Sequence, residues 1–112
     1  MKKLEIIIKP EKLEMVKTIL DENGINGMNF VTTMGYGKQN GTIKSVNGTE
    51  YKIGFLPKIK VETIVADEVV DKVVNSIIEE VNTGQYGDGK IAIYNVEDYI
   101  RIRTGERGND AL

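Results

Sequence analysis

The residues of this chain best suited to chemistry are ones that hold anions, not ones that break bonds. Thr83-Gly84-Gln85-Tyr86-Gly87-Asp88-Gly89-Lys90 combines three glycines with a terminal lysine, so backbone amides can approach phosphate oxygens beside a point charge. The spacing is not that of a Walker loop, and the same glycines would serve an ordinary helix-to-strand turn. Arg101 and Arg103 lie two apart on Tyr99 to Arg103, which alternates like a short strand. Both guanidinium groups are therefore predicted on one side, with Ile100 and Ile102 on the other. Two convergent forks suit a polyphosphate, although a solvated strand face would read the same way. Gln39, between Gly37 and Gly41, and Lys58, just after Pro57, bracket a long polar stretch. An amide oxygen and an ammonium could together seat a small anion held by a metal ion, or be plain surface. Tyr51 in the same stretch offers a phenol for modification or for docking.

Composition narrows the chemistry further. The chain has no histidine and no cysteine, which removes the commonest general base, thiolate chemistry and the usual zinc ligands. Fifteen basic residues against seventeen acidic ones leave a net charge of -2, so no electrostatic footprint for nucleic acid or an anionic membrane exists. An aromatic content of 6% argues against the stacked platform of an RNA-binding sheet. The three consecutive isoleucines near the N-terminus are too short and too closely flanked by charge for a signal peptide or a membrane span, so a cytoplasmic location is expected.

Elements must position these groups. Leu4 to Ile8 reads as a strand stopped at Pro10, and Glu11 to Asn23 as an amphipathic helix carrying Leu13, Val16, Ile19 and Leu20, closed by Gly24. Met28 to Thr33 reads as a second strand leading into Gly35-Tyr36-Gly37. The glycine-bearing, polar stretch of residues 37 to 54 has no sustained hydrophobic period and is expected to be a long exposed loop, of the kind that usually carries function. Pro57 to Val65 alternates with Ile59, Val61, Thr63 and Val65 on one face. Asp67 is placed to cap a helix whose stripe runs Val69, Val70, Val73, Val74, Ile77, Ile78 and Val81, and a last strand spans Ile91 to Tyr94. Two β-α-β halves in succession predict one α+β domain over residues 1–112: a ferredoxin-like βαββαβ sandwich with both helices on one sheet face. The bare sheet face needs a cover, and packing against further copies would supply one.

Separated motifs in this order resemble the PII signal-transduction proteins of nitrogen regulation across nearly the whole chain. They are residues 1–10 (MKKLEIIIKP), 35–39 (GYGKQ), 47–51 (NGTEY), 55–62 (FLPKIKVE), 83–90 (TGQYGDGK) and 101–105 (RIRTG). The resemblance implies a homotrimer with nucleotide sites between subunits, where ATP and ADP compete and 2-oxoglutarate binds beside Mg²⁺ with ATP. It implies that Gly87, Asp88, Gly89 and Lys90 hold phosphates together with Arg101 and Arg103 of a neighbouring copy. Gly35, Gly37 and Lys38 would complete the cradle, and Glu62 with the backbone at Ile64 would face ribose and adenine. Gln39 would ligate Mg²⁺, Lys58 would pair with a 2-oxoglutarate carboxylate, and Gln39 and Gly87 would also belong to the 2-oxoglutarate site. Partners would read the regulatory loop of about 37–55, and a C-terminal segment of about 101–112 would complete the single domain.

Those partners would be an ammonium transporter, which could recruit the protein to a membrane, or nitrogen-assimilation enzymes such as glutamine synthetase or its regulators. Tyr51 matches the tyrosine that some members have modified with a nucleotide. The chain departs from the common pattern with Asn29 for threonine, Lys38 for arginine, and Val46-Asn47 for tyrosine and arginine. That last arginine is the one expected to enter a transporter pore. Asn47 lacks its charge and reach, so Lys44 and Lys52 would have to substitute, or the target would be another, nitrogenase machinery included. Other possibilities on the same fold are an adenylate sensor without a 2-oxoglutarate response, an acylphosphatase-like hydrolase, and a trimeric scaffold that binds no nucleotide.

Overall fold

The computed structural model describes residues 1–36 and 54–112, together with the backbone of 43–46 and 49–52. Its core elements run β1 (Lys2–Ile8), α1 (Leu13–Glu22), β2 (Asn29–Gly35), β3 (Ile43–Val46), β4 (Thr49–Lys52), β5 (Leu56–Val65), α2 (Val70–Val81) and β6 (Lys90–Asn95). Four strands form one sheet in the order β2-β5-β1-β6, with every neighbouring pair antiparallel. The expected ferredoxin-like α+β arrangement is the one found. β3 and β4 form a separate two-stranded hairpin in which Lys44 stands opposite Tyr51, so part of the expected 37–54 loop has regular backbone. Gly37, Lys38, Gln39 and Asn47 lie outside the described residues, as do the side chains of Lys44, Tyr51 and Lys52.

Strand alternation sorts the sheet into two unlike faces. Leu4, Ile6 and Ile8 of β1 and Ile59, Val61 and Val65 of β5 are buried beneath the helices. Val16, Ile19 and Leu20 of α1 and Val73 and Ile77 of α2 close over them as one core. Thr63 sits in that apolar row because its hydroxyl donates to the Gly27 carbonyl at 2.6 Å, which satisfies it and ties down the α1–β2 connection. The opposite face carries a charge ladder: Lys3 Nζ lies 3.6 Å from Glu62 and 3.9 Å from Glu5, and Lys60 lies 3.6 Å from Glu62. Lys3 also sits 5.3 Å from the centre of the Tyr94 ring.

The helix ends follow their sequence signals in part. Pro10 opens a single 3-10 turn, Pro10–Lys12, that leads into α1, where its missing N–H costs nothing. Gly24, at φ +72°, ends the helix and passes the chain to Ile25, whose N–H donates to Leu20. Asp67 does not cap α2. It lies in a 3-10 turn, Asp67–Val69, and its carboxylate instead meets the N-terminal ammonium of Met1 at 2.9 Å. A full cation nearby outcompetes a backbone N–H for the carboxylate. The stripe of α2 is narrower than its sequence suggests, since Val70, Val73, Ile77 and Val81 are buried while Ile78 is 54% exposed.

The largest departure lies in the tail. Residues 99–103 do not form a strand; only Ile100 makes an isolated bridge, to Arg107. The chain turns at once, with the Gly105 N–H donating to the Arg101 carbonyl at 2.7 Å and the Arg101 N–H to the Glu106 carbonyl at 2.9 Å. Arg101 and Arg103 therefore do not share the face of an extended segment. Gly105, at φ +74°, supplies the reversal that alternation alone does not reveal.

Candidate functional site

Several of the residues singled out for anion binding line one of two grooves of the chain. Gly35, Lys58, Gly87, Gly89 and Lys90 line the first, a cavity of about 550 Å³ between the β2–β5 end of the sheet and the Thr83–Lys90 loop. Glu62, Ile64 and Arg101 line the second, about 770 Å³, walled by the α1–β2 connection and the C-terminal residues Ala111 and Leu112. Arg103 is exposed and lines neither. The first groove has the small residues and two lysines; the second has the arginine.

Lys58 organises the first groove. It is only 8% exposed, and its ammonium donates to the Gly87 carbonyl at 2.8 Å. Burial lowers its pKa from the ordinary 10.5, helped by the like charge of Lys9 and opposed by Glu11 and Asp88. Gly35 packs closely on Lys58: a Cβ at that position would lie 3.2 Å from Lys58 Cγ, so a larger residue would require that side chain to shift. Gly89, at φ +114°, carries the tighter constraint: any Cβ would overlap the Ile7 carbonyl of β1. The loop is thus laid directly on the first strand, which sets Lys90 at the head of β6 and at the groove's rim. At the base of the long loop, the Tyr36 and Phe55 rings meet with centroids 5.5 Å apart, and Tyr36 lines the groove.

Asp88 does not line this groove. Its carboxylate turns back to accept from the Thr83 N–H at 2.7 Å, from the Thr83 hydroxyl and from the Gly84 N–H at 3.1 Å, while Lys9 stands 3.9 Å away. These bonds, the Thr83 hydroxyl first, lower its pKa below the ordinary 3.8. Asp88 ties the loop shut, so the amides at its start are already satisfied, while Gly87, Gly89 and Lys90 line the groove.

The tail that supplies Tyr99 and Arg101 to the second groove is held by a clasp that the sequence did not announce. Asp98 accepts from the Tyr99 N–H at 2.8 Å, the Gly108 N–H at 3.2 Å and Arg107 through Nε at 2.8 Å. Arg107 Nη2 adds a contact at 2.7 Å. Arg107 and the two amides hold the Asp98 pKa below 3.8. A signal existed in the Asp98…Arg107-Gly108 spacing around Gly105, but only as one loop among many compatible ones. Arg101 is half-buried beneath the clasp, and Glu62 lies on the open sheet face between Lys3 and Lys60.

A buried ammonium beside a backbone carbonyl, an exposed lysine and glycines without side chains match the needs of carboxylate and phosphate oxygens. Among the described residues no group of three or more acidic side chains could hold a metal ion. No helix among the described residues is long and apolar enough to cross a membrane.

Comparison with known proteins agrees with this geometry. The family model described as nitrogen regulatory protein P-II matches residues 1–106. The chain is 49% identical to "Nitrogen regulatory protein P-II" of Haemophilus influenzae over 112 residues, all of both chains. It is 46% identical to the protein of that name from Rhodospirillum rubrum and 49% to that from Rhizobium meliloti, again over the full length of each. With a ferredoxin-like sheet, a hairpin inserted between its second and third core strands, and a match over almost every residue, the chain belongs to the nitrogen regulatory protein P-II family.

Proposed function

We propose that the protein is a nitrogen-status sensor that binds ATP and ADP competitively, binds 2-oxoglutarate together with Mg²⁺ and ATP, and signals through the loop of about 37–55. The observation that carries the proposal is the division of the site. Of the residues proposed to bind phosphate, Gly87, Gly89 and Lys90 line one groove of the chain and Arg101 lines the other. A nucleotide spanning both would bridge two copies, as a cyclic assembly with heterologous interfaces provides, and a homotrimer is the assembly proposed. In that arrangement Gly35, Gly37, Lys38 and Gly87 to Lys90 of one copy cradle the phosphates. Arg101 and Arg103 of the next copy neutralise them, and its Glu62 and Ile64 meet the nucleoside.

Lys58 gives the 2-oxoglutarate response its physical basis. Its ammonium is desolvated, with Gly87 as its hydrogen-bond acceptor, and a carboxylate would exchange that neutral partner for a charged one. Gln39 would supply the protein ligand to Mg²⁺, with the nucleotide and the 2-oxo acid completing its shell. Each ligand set would contact the base of the long loop differently and so bias its conformation, which partner proteins then read. The proposed partners are an ammonium transporter or nitrogen-assimilation enzymes. A cytoplasmic protein drawn to the membrane by a transporter fits this role, and Tyr51 is the proposed site of modification.

Calorimetric titration with Mg-ATP, with and without 2-oxoglutarate, tests the proposal through the reciprocity that linked binding requires. Each ligand should tighten the other by the same factor. Lys58→Met should lose 2-oxoglutarate binding while retaining ATP. Because it removes a buried charge without removing volume, its unfolding free energy should be unchanged or raised by about 1 kcal/mol or more. ATP binding without any 2-oxoglutarate response would reduce the protein to an adenylate sensor, and binding of neither would leave a scaffold.

A further inference from the structure

Arg101 is not a free cation in this fold. The turn closed by Gly105 lays Glu106 against it, and Arg101 Nη1 donates to Glu106 Oε1 at 3.0 Å while Nη2 donates to the Leu112 carbonyl at 3.2 Å. Arg107, the next cation along, is drawn away by Asp98. Among the described residues, the one ion pair of Glu106 is the one with Arg101, and Arg103 makes none. Two arginines two residues apart are thus held in different electrostatic states, one neutralised in advance and one open.

We propose that Glu106 is an internal competitor for Arg101, occupying with its carboxylate the place an incoming phosphate oxygen would take and so setting the groove's affinity for anions. The inference rests on the reading of Arg101 as a phosphate ligand. A guanidinium pairs with carboxylate and phosphate through the same planar fork, so the two partners are exchangeable without rebuilding the loop. The pair is substantially solvated, with 36% and 43% of the two side chains exposed. Such pairs are weak, so the exchange is cheap and readily reversed. The backbone bonds on either side of Gly105 hold Glu106 at Arg101 whatever its side chain does, which keeps the competitor at hand when the anion leaves. A ligand would need enough charge to displace it, so the device favours polyphosphates over monoanions.

Glu106→Gln removes the charge and keeps an oxygen acceptor of the same reach. The protein and this variant are titrated with inorganic tripolyphosphate and, separately, with ATP, and both titrations are repeated in an Arg101→Gln background. Removal of the competitor should tighten tripolyphosphate and ATP binding by about two- to fivefold, the scale of a solvated ion pair, and the gain should vanish when Arg101 is replaced. Unchanged or weaker tripolyphosphate binding by E106Q, a gain that survives without Arg101, or no tripolyphosphate binding to any form overturns the inference. An Arg101-dependent gain for tripolyphosphate alongside no ATP binding would uphold Glu106 as the competitor and remove the nucleotide from the proposed function.

Discussion

Two loops beside the grooves of this chain are each tied by a single aspartate, and they use the tie to opposite ends. In Thr83–Lys90, Asp88 accepts from two backbone amides and a hydroxyl of its own loop. What then faces the groove is backbone, glycine and the short reach of the loop's end. In Tyr99–Gly108, Asp98 clasps Arg107 and two amides across the loop's mouth. That clasp leaves the interior of the loop to present long cationic side chains, Arg101 half-buried and Arg103 exposed. One loop contributes glycine backbone to its groove and the other contributes cationic side chains, the two kinds of group that the proposed phosphate site needs. Neither is a complete site, and their placement on separate grooves of one chain is what makes a second copy part of the proposed chemistry.

Glycine substitutions separate the loops most sharply. Gly89→Ala would force a Cβ into the Ile7 carbonyl at φ +114° and should cost more than about 3 kcal/mol in chemical denaturation, or prevent folding. Gly105→Ala, at φ +74° with nothing within 4 Å, should cost only about 1 kcal/mol, from the left-handed backbone alone. Equal effects at the two positions would mean that the first loop is not laid against β1 as described.

A smaller effect concerns the ties themselves. Asp98→Asn should speed amide exchange at Tyr99 and Gly108 without touching Thr83 and Gly84, and Asp88→Asn should do the reverse. Both folded pKa values lie below 3.8, so the stabilisation is fully present above the ordinary aspartate pKa and is lost as pH falls through the lowered folded values. Loosening of both loops is thus expected below about pH 4, and exchange that is flat across that range would contradict the assignment.

The contrast between these loops also marks how far the sequence could be read. Alternation in Ile59, Val61, Thr63 and Val65 and the spacing of Val70, Val73 and Ile77 specify the sheet face and the helix stripe, because burial enforces a period of 2 or 3.6. The same rule fails at Tyr99 to Arg103, where apolar and basic residues alternate but no partner strand lies alongside, and local hydrogen bonds around Gly105 decide the path instead. Asp67 misleads for a related reason, since the ammonium of Met1, distant in sequence, claims its carboxylate. Lys58, Gly87, Gly89 and Lys90, singled out in the sequence by residue type and spacing, share one groove with Gly35. The pairing of Arg101 with Glu106 and the clasp of Asp98 with Arg107 are not legible, because each depends on which way one loop turns.

The most direct test of a site divided between copies is subunit mixing. Lys90→Ala carries a damaged first groove and an intact second, whereas Arg101→Ala/Arg103→Ala is damaged only in the arginine-bearing loop. Each variant alone should bind ATP weakly or not at all. When the two are unfolded together and refolded as a mixture, random assembly of a trimer juxtaposes two intact half-sites at roughly a quarter of all interfaces. Calorimetry should therefore recover ATP binding of wild-type affinity at about that stoichiometry. Mixed assemblies that form but bind no ATP, beside a wild-type protein that regains full binding after the same treatment, would show that the site lies within a single chain and would contradict the account.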